Sequence, residues 1–250
     1  MKSKLIASLF ILVLFNSCSK DAIVNTITGP EAFHNRAVGA SANELLSGST
    51  YTSLKVEVQY MSGYAPDSIA LLNLKNYLTS YLNKPDGISI VTKEIKPSSN
   101  PSLTIDDITL IELQNRTVYS NSNQIAVYIL YTNGEYADSK VLGVAYRNTS
   151  VTLFGKTIND NSGGVGQTSR TKLETTVLEH ETGHLLGLVD DGSPMQTPHK
   201  DSTHGWHCNN QNCLMYYSTE TTDVLGFLVT GAIPQLDTNC INDLKANGSK

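Results

Sequence analysis

The segment His180-Glu181-Thr182-Gly183-His184 contains the residue types that a hydrolytic metal site needs. Two histidines four residues apart project from one face of a helix, and two neutral imidazoles at this spacing can bind one zinc ion. Glu181 follows the first histidine, so its carboxylate lies beside the coordinating pair and can take a proton from a metal-activated water. The pattern therefore predicts zinc ligands at His180 and His184 and a general base, then acid, at Glu181.

The pattern has this meaning only on a helix, because HExxH has many chance matches. Apolar residues and the two histidines recur at steps of three and four, which predicts a long helix over residues 171–186. Gly187 then lets the helix end sharply. The preceding Glu179 is predicted to face solvent. The residues that share the buried face are Leu173, Val177, His180, His184 and Leu188.

The elements before this helix predict an α+β domain. Apolar runs predict strands over residues 54–60, 88–92, 124–131, 141–146 and 149–154. The run 124–131 is almost wholly apolar, so it is predicted as the central strand, covered on both faces. Helices are predicted after Pro66, after the capping residue Thr104, and over residues 234–246 at the C-terminal end.

The run HETGHLLGLVD, residues 180–190, resembles the extended zinc motif HExxHxxGxx(H/D) of the metzincin clan of metallopeptidases. The later segment from His207 to Met215 is similar to the archaemetzincin signature, in which a ligand histidine is followed by Cys, four residues, Cys, one residue and Met. The resemblance covers residues 171–220. It implies a metzincin-like zincin domain with a twisted mixed sheet, an active-site helix, a Met-turn that places Met215 beneath the metal, and a C-terminal helix.

The resemblance leaves two candidates for the third zinc ligand. In archaemetzincins a histidine directly follows the glycine turn, whereas this chain has Asp190 there, as snapalysin-like metzincins do. His207 lies beyond the insertion 191–206 but has the cysteine and methionine context of the signature. Imidazole and carboxylate are both zinc ligands, so His207 is favoured and Asp190 stays open as the alternative. The resemblance also implies oxyanion support from Tyr217, two residues after the methionine.

The remaining cysteines and loop histidines have more than one interpretation. Archaemetzincins carry a second zinc on four cysteines, but here the downstream CxxC is absent and only Cys240 is present. This argues against an all-cysteine site and favours a disulfide involving Cys208 or Cys213, with a pairing that spacing does not define. His199 and His204, with the aspartate between them, are candidates for a second ion site, for a substrate-side rim, or for solvated loop residues.

Composition limits the class of protein. The chain has 250 residues, a net charge of −5, 40% hydrophobic residues and 16% charged residues. This apolar content suits a folded core, and the low charge density is not typical of a disordered chain. Basic residues form no stripe or cluster, which argues against nucleic acid as a partner.

The N-terminus predicts export and lipid anchoring. An apolar run over residues 5–15 follows a short basic start and is too short for a membrane span, which needs roughly 20 apolar residues. It ends in Asn-Ser-Cys18, which resembles a bacterial lipobox and implies a signal peptide over residues 1–17 and lipidation of Cys18. An ordinary signal peptide cut nearby is the alternative. Residues 18–50 are predicted as a tether and residues 51–250 as the catalytic domain.

These features favour a zinc-dependent endopeptidase that hydrolyses protein or peptide substrates with one catalytic Zn²⁺. The lipobox resemblance implies a place in the bacterial cell envelope, anchored through lipid in the outer membrane, and the Ser-Lys-Asp after Cys18 resembles surface-export signals. The alternatives are an extracytoplasmic peptide- or glycan-binding lipoprotein with a structural zinc, and a non-peptidase zinc hydrolase.

Overall fold

The structure is a computed structural model that describes residues 29–250. The predicted signal peptide, the lipidation site at Cys18 and the first part of the predicted tether lie outside the described residues. Within residues 29–250, none of the helices combines the length and the apolar character that crossing a membrane requires.

A five-stranded sheet forms the centre of the domain, in the order β2-β1-β4-β7-β6. The first four strands in this order are parallel and β6 is antiparallel to β7. All residues of β4 after Gln124 are buried, which confirms the predicted central strand. The short β3 and β5 pair separately. The strands are β1 (Ser53–Met61), β2 (Ile88–Ile95), β3 (Ser102–Leu103), β4 (Gln124–Thr132), β5 (Glu135–Tyr136), β6 (Gly143–Arg147) and β7 (Ser150–Phe154).

Helices cover both faces of the sheet, which confirms the predicted α+β class. The larger core lies between the sheet and α3 and α6, and a smaller core lies on the opposite face against α4. The helices are α1 (Pro30–Phe33), α2 (Ala42–Leu46), α3 (Ser68–Tyr81), α4 (Ile105–Asn115), α5 (Gly155–Asp160), α6 (Arg170–Leu185), α7 (Leu225–Thr230) and α8 (Thr238–Ala246), with 3₁₀ turns at Tyr217–Glu220 and Thr222–Val224.

Capping side chains set the helix starts. Asp67 accepts hydrogen bonds from two backbone N–H groups in the first turn of α3, so the helix begins after Asp67 rather than at Pro66. Asp237 likewise caps α8 by accepting from the Cys240 N–H at 3.0 Å, so this helix begins later than residue 234. The six-residue helices α5 and α7 were not predicted, because neither is long enough to show a helical period.

Residues 29–50 are folded against the domain, which corrects the predicted tether over residues 18–50. Leu45 and Leu46 at the end of α2 are buried in the larger core. The ammonium group of Lys84 reaches back and donates to three main-chain oxygens of this part of the chain. Because apolar burial and hydrogen bonds both hold it, the segment belongs to the folded domain.

A buried histidine joins this N-terminal segment to the far end of the sheet. The N–H of Ser120 donates to His34 Nε2 at 3.0 Å, so Nδ1 carries the ring proton and donates to Thr149 Oγ1 at 2.6 Å. Arg116 Nη2 lies 2.9 Å from the same Nδ1. Burial, followed by the positive charge of Arg116, lowers the pKa of His34 to about 3.

This pKa predicts a loss of stability in mild acid. Between pH 6.5 and about 3 the unfolded chain binds a proton at His34 and the folded chain does not. The contribution of the neutral His34 to the free energy of unfolding is therefore fully present above pH 6.5. As the pH drops from 6.5 towards 3, this contribution decreases by about 1.4 kcal/mol per pH unit. Urea unfolding from pH 7 to pH 4 should show a steeper loss for the wild type than for His34→Gln. Equal slopes in the two proteins would contradict this expectation.

Candidate metal centre and cleft

The helix α6 lies at the centre of the domain. Ser169 caps it by accepting from the Lys172 N–H, and every residue from Leu173 to Leu185 is buried. The predicted exposure of Glu179 is therefore wrong, since this residue is only 6% exposed. The helix ends where predicted, because Gly187 adopts a φ of 84° that favours glycine.

Three imidazoles converge beside this helix, and their ring nitrogens have distinct roles. The Nδ1 atoms of His180, His184 and His207 each lie within hydrogen-bond distance of a main-chain carbonyl. Each Nδ1 therefore carries the proton, and each Nε2 presents a lone pair. The carbonyl acceptors belong to Leu214, Leu188 and His204, at 2.7, 3.0 and 2.6 Å respectively.

The arrangement of these lone pairs fits a zinc ion. His180 Nε2 and His184 Nε2 face each other at 3.2 Å, which is repulsive for two lone pairs unless a cation lies between them. The Nε2 of His207 is buried and has no hydrogen-bond partner among the described residues. Tetrahedral zinc with bonds of about 2.0–2.1 Å holds its ligand atoms about 3.3 Å apart. The donor set and its spacing therefore match this ion.

Glu181 lies next to the centre with one oxygen held and the other free. Its Oε2 accepts a hydrogen bond from the Ala145 N–H of β6 at 2.7 Å. Its Oε1 is buried without a hydrogen-bond partner among the described residues. Burial, followed by the negative charge of Glu220, raises the pKa of Glu181 well above its usual range. A side chain at Gly143 would contact this carboxylate, so the glycine leaves room for it.

Met215 packs directly against α6 below the imidazoles. It is fully buried, and its thioether occupies the space that a side chain at Gly183 would need. Gly183 lies between the two histidines of the motif, so the close approach places the methionine under the centre. The Cys208 N–H donates to the Met215 carbonyl at 2.7 Å and connects this turn to the neighbour of His207.

Of the two candidates for the third ligand, His207 joins the imidazole cluster and Asp190 does not. Asp190 is exposed and has a φ of 63°, in the turn that follows Gly187. His207 reaches the centre because the insertion folds back, with the Val189 N–H donating to the Trp206 carbonyl at 3.0 Å.

This placement predicts unequal effects of two substitutions on metal affinity. His207→Ala should weaken zinc binding by more than about 100-fold. This is more than the roughly 10–100-fold loss expected when a residue that only hydrogen-bonds to a metal ligand is removed. Asp190→Asn, which removes the charge and tolerates positive φ, should leave the affinity unchanged. Competition with a chromophoric chelator measures both. A large loss in Asp190→Asn with little change in His207→Ala would reverse the assignment.

A fourth group at the centre, Glu220, was not predicted from the sequence. Its Oε2 lies 3.7 Å from His180 Nε2, 4.0 Å from His184 Nε2 and 3.5 Å from His207 Nε2. Tyr217, predicted as oxyanion support, instead stacks on the ring of His204 with 3.6 Å between centroids. The 3₁₀ turn Tyr217–Glu220 thus positions the Glu220 carboxylate, and not the Tyr217 hydroxyl, next to the imidazoles.

A cleft of about 260 Å³ opens onto this centre. The edge strand β6 and the N-terminal segment form its walls, through Val144, Ala145 and Val38. Trp206, half exposed, stands at its rim. The groups at its floor are Glu181, His184, His207 and Glu220.

The cysteines form a second buried cluster instead of the expected disulfide. Cys208, Cys213 and Cys240 are free thiols. The Sγ atoms of Cys213 and Cys240 are 3.6 Å apart, and His199 Nδ1 lies 3.4 Å from Cys208 Sγ. His199 is therefore a buried member of this cluster and not a solvated loop residue. His204 is exposed and pairs with the aspartate of its own loop at 2.8 Å.

Fold and centre together define a metallopeptidase domain. The chain belongs to a known family of such enzymes, since the model described as Metallo-peptidase family M12 matches residues 70–227, more than half of the sequence. Metallopeptidases of this family act on peptide bonds and use a metal, typically zinc. No curated protein sequence gave a significant match to the chain.

Two solved structures resemble this domain. Archaemetzincin from Methanopyrus kandleri is 15% identical with a TM-score of 0.54, over 78% of this chain and 96% of that chain. Metalloproteinase-II from Bacteroides fragilis is 14% identical with a TM-score of 0.45, over 84% of this chain and 60% of that chain. The first likeness confirms the metzincin-like fold.

Proposed function

We propose that this chain is a zinc-dependent endopeptidase in which His180, His184 and His207 hold the metal and Glu181 moves the proton. The observation that carries the proposal is the convergence of three Nε2 lone pairs beside the unpartnered Oε1 of Glu181. A structural metal site has no use for such a free carboxylate oxygen, so the arrangement favours hydrolysis over binding alone.

Each residue of the centre has a distinct role in the proposed hydrolysis. When bound, zinc lowers the pKa of water to about 7 and polarises the scissile carbonyl. Glu181 accepts the proton of the attacking water at Oε1 and later donates it to the leaving amine. The Ala145 N–H fixes the other oxygen, so the carboxylate keeps its direction during both transfers. Three main-chain carbonyls fix the imidazole rings in the tautomer that binds metal.

The cleft suits an extended peptide. The strand β6 is an edge of the sheet and borders the floor groups, so main-chain groups of a substrate can lie along it. The same strand positions Glu181, which places the scissile bond of a peptide on β6 next to the general base.

We further propose a second, structural zinc in the cluster of His199, Cys208 and Cys240, where Cys213 and the carboxylate of Asp237 are the candidates for the fourth ligand. Zinc–sulfur bonds of about 2.3 Å set sulfur atoms about 3.8 Å apart, close to the spacing of Cys213 and Cys240. Asp243 Oδ2 lies 2.7 Å from His199 Nε2 and orients the ring, as carboxylates commonly do for zinc-binding imidazoles. His199 thus supplies a donor in place of the missing fourth cysteine.

This second site predicts two zinc ions per chain. His199→Ala and Cys240→Ser should each reduce the count to one and lower the thermal stability, because Cys208 and Cys213 both precede Met215 and hydrogen-bond to the turn that contains it. His204→Ala, an exposed imidazole in the same insertion, is the matched control and should retain two. In a protein of residues 19–250, one zinc together with three titratable thiols would contradict the second site.

The chain's proposed location is the bacterial cell envelope, where a lipid on Cys18 holds the domain at the outer membrane. The support is the lipobox resemblance of the N-terminal sequence. Metabolic labelling with a fatty acid, compared between wild type and Cys18→Ala, tests the anchor.

The test of the enzyme proposal joins metal content to cleavage. Residues 19–250 would be purified, zinc would be counted, and casein and a quenched peptide library would be assayed before and after removal of the metal with 1,10-phenanthroline. We expect cleavage that disappears with the metal and returns with added zinc. Bound zinc without cleavage of any peptide favours the binding-lipoprotein or non-peptidase alternative, and a chain without zinc refutes the proposal.

A further inference from the structure

Glu220 occupies the one position of the metal centre that the three imidazoles leave open. Its Oε2 lies 3.5–4.0 Å from all three Nε2 atoms, and the His180–His184 Nε2 edge measures 3.2 Å. Zinc bonds of about 2.0–2.2 Å to nitrogen and oxygen give tetrahedral edges of about 3.3–3.5 Å. The three distances from the carboxylate oxygen therefore exceed these edges by at most about 0.7 Å, so a small rotation of the side chain places the oxygen at the fourth vertex.

Nothing else in the described part of the chain explains this position. The Glu220 carboxylate has no lysine or arginine within ion-pair distance and no side-chain hydrogen bond to residues outside the imidazole cluster, among residues 29–250. It also lies near the carboxylate of Glu181, whose negative charge repels it. A carboxylate partly buried between three metal-binding nitrogens and a second carboxylate is stabilised there by a cation.

The backbone of Glu220 is fixed while its side chain keeps a route to solvent. Its carbonyl accepts the Leu142 N–H at 2.8 Å, and an isolated bridge joins Thr221 to Val141. The side chain is 29% exposed and lines the cleft. Rotation of the side chain alone can therefore move the carboxylate away from the imidazoles without displacing the turn.

We infer that Glu220 is a fourth protein ligand that caps the metal in the resting protein. The inference rests on the proposed function, because it requires the ion at the three imidazoles. A catalytic zinc needs one position for water or substrate, and four protein ligands close the site. Turnover therefore requires the Glu220 carboxylate to leave the metal so that the oxygen of water or substrate can take its place. No covalent bond of the protein changes in this exchange. The cap lowers the fraction of open sites, and turnover proceeds from the open fraction.

A capped site binds external ligands more weakly, because the apparent affinity equals the affinity of the open site multiplied by the fraction of molecules in which the site is open. Acetohydroxamate, which binds open zinc sites, is titrated calorimetrically into zinc-loaded wild type, Glu220→Ala and Glu220→Gln. We expect at least tenfold tighter binding of acetohydroxamate in both variants. Because a ligand is lost, we also expect at least tenfold weaker retention of zinc against a chromophoric chelator. A general loss of structure would weaken the binding of both acetohydroxamate and zinc, so tighter acetohydroxamate binding together with weaker zinc binding distinguishes removal of the cap from misfolding.

Asp223→Ala is the matched control, since this carboxylate lies three residues further on and pairs only loosely with Lys140 at 3.9 Å. It should match the wild type in both titrations. Equal acetohydroxamate affinities in wild type and both Glu220 variants would overturn the cap, even if the protein cleaves peptides. Absence of zinc from the three-imidazole site in the wild type would instead refute the proposed function. Glu220→Gln keeps the shape of the side chain and decides the question if Glu220→Ala does not fold.

Discussion

Glu181→Gln should lower kcat/KM for peptide cleavage by about 100- to 10,000-fold, the usual contribution of a general acid–base group. The amide keeps the size of the side chain but cannot accept a proton at the atom equivalent to the unpartnered Oε1. Zinc content should not change, because Glu181 is outside the set of nitrogens that converge on the metal. The loss should fall on kcat more than on KM, since the proton moves during the chemical step.

The neighbouring carboxylate of Glu179 provides a control for this substitution. Glu179 lies on the same helix and is also buried, but it faces a different pocket, between α3 and α6, and not the cleft. Glu179→Gln should therefore retain the activity of the wild type. A Glu181→Gln protein that binds zinc and cleaves peptides at the wild-type rate would remove Glu181 from the mechanism.

The parts of the fold that the sequence predicts are those with a strong local period. The helix α6 combines helical spacing with a glycine that ends it, and β4 combines a continuous apolar run with turn residues at its end. In both, local preference and tertiary burial agree, so the pattern alone is enough. The position of the metal centre on α6 follows from the same local information.

Residues on irregular backbone were predicted poorly: Glu220 was missed, and His199 was left open between a second ion site, a substrate-side rim and a solvated loop. Both lie in segments without a period, and their positions depend on contacts distant in sequence, such as the 2.7 Å contact between His199 and Asp243. A signal for His199 existed, because the family's fourth cysteine is missing and a nearby histidine can replace it as a zinc ligand. Glu220 had no comparable signal, since an isolated glutamate after a methionine turn is chemically unremarkable.

The N-terminal segment shows how composition can mislead. Its serine, threonine, asparagine and glycine content is typical of a linker, and its apolar residues form no long run. Two of these, Leu45 and Leu46, are fully packed, and Gly39 closely approaches the backbone of Asp191 next to the cleft. Average composition does not report such contacts, because each depends on a single residue that meets a distant partner.

The two clusters share one short piece of backbone. His207 belongs to the three-imidazole centre and its neighbour Cys208 belongs to the cysteine cluster. The Cys208 N–H also holds the carbonyl of Met215, which packs beneath the imidazoles. A structural ion at the cysteines would thereby fix the third ligand and the methionine together, in a region with little regular secondary structure to position them.

Arg116→Met should destabilise the domain by about 3–5 kcal/mol, as expected when one partner of a buried ion pair is removed. Arg116 Nη1 lies 2.6 Å from Glu112 Oε1, and both side chains are at most 2% exposed. Without the guanidinium, Glu112 retains only the Ser150 hydroxyl at 2.7 Å and the more distant Arg147 at 3.4 Å. Chemical denaturation at pH 7 measures the change in the free energy of unfolding.

Two further variants separate the ion pair from the volume of the side chain. Glu112→Gln combined with Arg116→Met removes the unpaired charge and should recover part of the loss, because a buried neutral amide costs less than a buried carboxylate without its partner. Lys140→Met breaks an exposed pair, 64% and 57% exposed, and should change stability by less than about 1 kcal/mol. Glu112→Gln alone completes the cycle, and a double variant that is as unstable as the sum of the two single variants would mean that Glu112 and Arg116 act independently. The end of α4 that carries them would then depend on packing, and the charges would have no net role in holding β7 against α4.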